Sequence, residues 1–291
     1  MDGKKILKSV ILGGLFLGNG VFGAKTQAAQ DQTSLKDKLL AAIEANDKIN
    51  VKHALEKGVN INEKLSTGLL PLHKVVSTGE STSILRLLLD YGADPNLKLE
   101  GTPAIHLAVH RGSTLIIKIL RDNGADLNAK DHIAQTPLMR TAYLILLTIN
   151  QRPYIWELIH PSSTSFGRKL RHLQKQMNRF SPNNVKYYFD VMRLLMDYGV
   201  DANPQDKDGN TALHLAISSF EKSAKKKHLN LRLVKELVNY GVDINIQNYS
   251  GQTVLDLVQK QKEELSNDDE ALINEYDQII AFLLEYGTRE G

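Results

Sequence analysis

The chain carries nine histidines and no cysteine. The missing cysteine removes disulfides, thiolate zinc ligands, a thiol nucleophile and a lipid-modified cysteine anchor together. His160 and His172 lie 12 residues apart and His228 follows. A metal site built from them would have to gather distant segments. His53, His110 and His132 show no ligand spacing. There is no phosphate-binding glycine loop, no nucleophile elbow, no histidine pair flanking a glutamate and no calcium loop. The sequence therefore assigns no catalytic residue, no metal and no cofactor. What remains is charge. Residues 148–186 carry a net +6, from Arg152, Arg168, Lys169, Arg171, Lys175, Arg179 and Lys186 against Glu157. Residues 218–230, with Lys222, Lys225, Lys226 and Lys227 against Glu221, carry +3, and residues 258–275 carry −4. Charged stretches of this kind are either solubilising loops or a binding edge for an anion.

The elements that must position these groups announce themselves by repetition. Five glycine-led phrases recur: Gly58-Val59-Asn60-Ile61-Asn62, Gly92-Ala93-Asp94-Pro95-Asn96, Gly124-Ala125-Asp126-Leu127-Asn128, Gly199-Val200-Asp201-Ala202-Asn203 and Gly241-Val242-Asp243-Ile244-Asn245. Four follow an apolar run such as Leu87-Leu88-Leu89. Glycine after such a run accepts the left-handed conformation that ends a helix. The Asp and Asn that follow can bond nearby backbone and favour a turn. Between these phrases sits a second one, at Gly68–His73, Gly101–His106, Ala134–Met139, Gly209–His214 and Gly251–Asp256. Residues 68, 101 and 134 are spaced by 33. Each unit offers two short apolar helices, such as 105–109 and 115–120, and neither can bury its face alone, so neighbours must stack.

The period of 33 and the phrase Thr-Pro-Leu-His-x-Ala resemble the ankyrin repeat family over about residues 35–291. No copy matches in full: Leu70 and Pro103 stand for Thr, Met139 and Asp256 for His, and Ala104, Ala212 and Val254 for Pro. The resemblance implies an all-α solenoid of about six stacked helix pairs with turn fingers. The repeats fall near 35–65, 66–98, 99–131, 132–206, 207–248 and 249–291. It also implies that His73, His106 and His214 fix their turns by hydrogen bonds. By the family's pattern a protein partner binds the concave face. The positions here that match it are Glu100, His110, Arg111, His132, Gln135, Tyr143, Lys207, Asp208, Asn210, Tyr249, Gln252 and Lys260. The function expected is a non-catalytic protein-interaction scaffold, monomeric and without a nucleic-acid partner.

After Ala134 the period breaks. The next start, Gly209, comes 75 residues later and Gly251 another 42. Three insertions are expected between inner and outer helices of the C-terminal half, the main one at 148–186. It contains Trp156, the sole tryptophan. The stretch from Arg168 to Arg179 reads as a basic amphipathic helix. Arg168, Lys169, Arg171, Lys175, Lys225, Lys226 and Lys227 would form a basic edge. That edge is the alternative binding surface, for an anion or a membrane surface. An enzyme site in 148–186 is the third reading, and no nucleophile–base set supports it.

Net charge is +3 and the composition is that of a soluble protein. Lys4, Lys5 and Lys8 precede an apolar stretch from Val10 to Phe22, shorter than the ~20 residues of a bilayer span. Residues 1–23 thus read as a signal peptide, cut after Gly23, with Ala24 and Ala28 as competing ends, and 24–34 as a linker. The chain is expected to be exported, periplasmic or secreted, and bacterial. Uncleaved, residues 6–23 would instead anchor it to a membrane.

Overall fold

The computed structural model describes residues 20–149, 185–217, 231–266 and 270–290. Twelve helices and one two-stranded hairpin lie within them. The helices pair in chain order. Gly20–Glu44 (α1) pairs with Lys48–Glu56 (α2), Pro71–Thr78 (α3) with Thr82–Asp90 (α4), and Ala104–His110 (α5) with Thr114–Asp122 (α6). Pro137–Ile149 (α7) pairs with Val185–Asp197 (α8), Ala212–Ile217 (α9) with Leu231–Asn239 (α10), and Val254–Glu263 (α11) with Glu270–Glu290 (α12). The inner helices α3, α5, α7, α9 and α11 stack in succession, and the outer ones pack behind them. This is an all-α solenoid of six helix pairs with one continuous core from Leu39 to Leu283.

Local chemistry sets each boundary. Asp47 accepts the Ile49 and Asn50 amides at the start of α2, while Ser81 and Ser113 cap α4 and α6. Thr253 and Asp256 form a reciprocal capping box on α11. The first five outer helices end alike. At α4 the Gly92 amide donates to Leu89 O and Ala93 to Leu88 O, with Gly92 at φ 89°. That double bond needs a left-handed residue, which is why glycine recurs there.

The five-residue phrase divides its labour. Asp94, Asp126, Asp201 and Asp243 each take the amide two residues on, closing a local turn. The Asn residues instead reach the next repeat: Asn62, Asn96, Asn128 and Asn203 accept the amides of Asp94, Asp126, Asp201 and Asp243 at 2.8–3.0 Å. Asn62 and Asn96 also donate to Gly92 O and Gly124 O.

Two expectations change. Residues 24–34 are not a linker, because α1 runs unbroken through them into the first repeat. The segment contains no proline or glycine, and Leu39 is fully buried, so nothing interrupts the helix. The third excess of length mostly lengthens helices: α11 has 10 residues and α12 has 21, against 7 and 9 in α5 and α6. The first two insertions fall between α7 and α8 and between α9 and α10. Residues 150–184 and 218–230 within them lie outside the described residues, as do residues 1–19 of the expected signal peptide.

Candidate protein-binding surface

The fingers project between helix pairs. In one, Lys98–Leu99 and Thr102–Pro103 form an antiparallel hairpin. Glu100 (φ 51°) and Gly101 (φ 84°) make its two-residue turn, a geometry whose twist suits tight hairpins. Three others close by a shared device. Asp131 accepts the Ile133 and Gln135 amides, Asp206 those of Asp208 and Asn210, and Asn248 those of Ser250 and Gln252. Finger positions occupied by Gly68, Gly101, Gly209 and Gly251 have φ between 73° and 84°; the fifth holds Ala134 at 62°.

The histidines tie finger to helix. Neutral His73 donates from Nε2 to Thr102 O at 3.0 Å, His106 to Ala129 O at 2.7 Å and His214 to Gln252 O at 3.1 Å. On the other ring nitrogen, His214 accepts from the Thr211 hydroxyl at 2.8 Å. Burial pushes His73 and His106 down to about 4 and His110 to about 3, and lowers His214 as well. Met139 stands where a histidine would brace the next finger, and the finger at 131–135, already tied by His106, gains a buried ion pair between Arg140 and Asp131. Burial works to raise the Asp131 carboxyl. Arg140, His106 and two backbone amides outweigh it and hold the group below its ordinary range.

The twelve positions matched to the concave face divide. Glu100, His132, Lys207, Asp208, Tyr249 and Lys260 are exposed, and Asn210 and Gln252 are half-buried. Three are corrections: His110 is 6% exposed, Gln135 7% and Tyr143 4%, so none offers a contact surface. The cause is α7 and its partner. At 13 residues α7 is nearly twice the length of α5 and is buried from Pro137 to Leu147, with Tyr143 and Leu147 forming a cluster apart from the main core. Tyr188 of α8 donates to His110 O at 3.0 Å. Arg111 is committed too. It reaches back to the preceding repeat, donates to Ser77 O at 2.6 Å and fills the space beside Gly79, where a Cβ would lie 2.3 Å from the guanidinium. Arg168, Lys169, Arg171, Lys175, Lys225, Lys226 and Lys227 of the expected basic edge lie outside the described residues. Among the described residues no group of three histidines or carboxylates is placed to hold a metal, and no helix is long and apolar enough to cross a membrane.

Residue reading missed the Arg140–Asp131 pair, the Lys74–Glu44 pair at 2.8 Å, and a set of rungs at the ends of the outer helices. Tyr91 reaches Glu56, Tyr240 reaches Asp197, and Arg121 lies 4.3 Å from the Tyr198 ring centre. Their signal was present: Tyr-Gly recurs at 91–92, 198–199, 240–241 and 286–287.

Stacked helix pairs, glycine-ended outer helices, an asparagine ladder and histidine-braced fingers define the class of repeat solenoid in which neighbouring units carry the fold. A sequence profile of ankyrin repeats, taken three at a time, matches residues 39–131 and 183–289. The chain belongs to the ankyrin repeat family. It is similar to the ankyrin repeat protein FPV223 of Fowlpox virus, with 32% identity over 137 residues, 46% of this chain and 89% of that one. It is also similar to an ankyrin repeat protein of Rickettsia bellii, with 32% identity over 115 residues, 39% of this chain and 64% of that one. A second fowlpox relative, FPV222, is matched over 19% of its length. Among solved structures, the ankyrin repeat protein EF0377 superposes with a TM-score of 0.57 at 22% identity, covering 86% of this chain and 97% of that one. Ankyrin repeats generally mediate protein–protein interaction and are generally not catalytic.

Proposed function

We propose that this chain is an exported, non-catalytic scaffold that binds a protein partner on its finger-bearing concave side. One observation carries the reading. The backbones of four fingers are tied by inter-repeat bonds, yet Lys207, Asp208 and Tyr249 at the tips remain open to solvent. A rigid frame with uncommitted tips loses little entropy on binding. Because His110, Gln135 and Tyr143 are buried, the contact surface shifts from the inner helices to the tips. Photo-crosslinking groups at positions 207 and 249, with position 115 on α6 as a control, test this in cells that make the protein. Crosslinks to a protein from the tips are expected; crosslinks only from position 115 would place binding on the outer helices. The charges of 148–186 and 218–230 favour a second reading, an anion or membrane surface bound by the basic edge. Export is tested separately by N-terminal sequencing. A start near Ala24 supports cleavage, and residues 1–23 retained in the membrane fraction support an anchor.

A further inference from the structure

Most charged side chains on the finger row are spent on the fold. Glu63 takes bonds from Lys36 and Asn60, Glu100 pairs with Lys64, Asp131 pairs with Arg140, and Asp206 caps two amides. Asp208 differs. Its side chain is exposed and has no intramolecular partner among the described residues. Beside it stands Tyr249, 73% exposed, whose amide donates to Asp208 O at 3.1 Å.

The Tyr249 ring lies over a glycine. Gly209 sits under it at φ 79°, and a Cβ there would lie 2.4 Å from Tyr249 N and 2.6 Å from Cδ1. The ring therefore occupies the space a side chain at 209 would need. At the same place in two other fingers the residue serves the fold, since Leu99 is buried and His132 contacts the Thr102 hydroxyl, while Ser66 and Lys207 are exposed. The Tyr249 ring is open to water and serves no comparable need. A tyrosine is an inexpensive contact group, since it has only two side-chain torsions to fix.

We propose that Tyr249 and Asp208 together recognise an arginine side chain in an extended segment of the protein partner. A guanidinium is planar, stacks on an aromatic face and can donate two bonds to one carboxylate. Lys207, exposed next to Asp208, adds the opposite charge. The segment that fits thus carries arginine beside an acidic residue, and a polybasic run is disfavoured. This proposal rests on the finger side being the protein-binding side.

The test is selection of linear 12-residue peptides by display against the full chain, followed by calorimetric titration of the selected peptides. Arginine next to an acidic residue is the expected enrichment. Tyr249→Ala should then weaken binding by about tenfold, between the exposed and the desolvated value of a cation–π contact, and Tyr249→Phe should leave it nearly unchanged. Asp208→Asn should remove the preference for arginine over glutamine in the peptide. Circular dichroism guards against misfolded variants. Peptides weakened by Lys207→Ala or Glu100→Ala but indifferent to both Tyr249→Ala and Asp208→Asn would overturn this inference and leave finger binding standing. Peptides indifferent to every finger variant, or no selected peptide, would overturn both.

Discussion

Acid should loosen this array through its buried histidines. His73, His106 and His110 are each at most 6% exposed, and their neutral rings are held at about 4, 4 and 3. In the unfolded chain each returns to about 6.5. Above pH 6.5 both states hold neutral rings and pH has no effect through these groups. Below it the unfolded chain takes up protons that the folded chain refuses, so stability falls as pH falls, until the folded rings titrate near 4 and 3. At pH 5 the loss is about 2 kcal/mol per ring, or about 6 kcal/mol for three, against a typical total of about 5–15 kcal/mol. His214 adds in the same direction. Asp131 contributes little in this window, because a carboxyl held below its ordinary range loses stability only at lower pH. Urea midpoints followed by circular dichroism at pH 7.5, 6 and 5 should therefore drop steeply, and proton NMR should show these rings untitrated at pH 5. His73→Asn, which keeps a donor for Thr102 O, should reduce the pH slope by one proton. A flat midpoint between pH 7.5 and 5, or ring titration near 6.5, would refute the burial argument.

Ala134 holds a left-handed conformation that four fingers give to glycine, so Ala134→Gly should raise stability by roughly 0.5–1 kcal/mol, read as a higher urea midpoint. Arg140→Met should cost about 3 kcal/mol by leaving the Asp131 carboxylate buried without its cation, and adding Asp131→Asn should recover much of that loss; equal costs for the single and double variants would count against the pair. Asn96→Ala removes one acceptor and one donor that bridge neighbouring repeats and should cost about 1–3 kcal/mol, seen as a lower midpoint. Hydrogen exchange should show that loss concentrated at the Asp126 amide, with the terminal pairs unaffected.

The fold was largely legible because repetition multiplies weak signals. One glycine after an apolar run is a poor marker, but five in the same phrase fix five helix ends, and the structure gives all five a left-handed glycine. The asparagine ladder was half legible. The turn-forming chemistry of Asp and Asn is local and can be read from one phrase. The bond from Asn62 to the Asp94 amide spans 32 residues and needs the stacking distance, which no single phrase contains. The helix at 24–34 was missed for a related reason. Polar composition argues for a linker, while the helix is held by Leu35 and Leu39, which follow it in the chain.

The surface was less legible, because a position in a repeat says where a residue sits and not what else is brought against it. His110 and Arg111 stand at a helix end, and Tyr143 at the matching repeat position of a helix that runs on past it. Here the fourth unit carries a longer inner helix and a tyrosine, Tyr188, that reaches the end of α5, and departures from the period alter exposure in neighbours whose own sequence is regular. The ion pair of Arg140 shows the same effect in the core. Met139 cannot make the histidine bond to the next finger, and one residue later Arg140 reaches back to Asp131 in the finger that His106 already braces. The ladder of backbone bonds and buried braces explains why such exchanges are tolerated: fingers are tied to their neighbours, so some tip residues, Lys207, Asp208 and Tyr249 among them, are not needed by the fold. At those tips the fold leaves identity undetermined, and there Asp208 and Tyr249 stand side by side, held by a backbone bond and by a glycine that no other residue could replace without moving the ring.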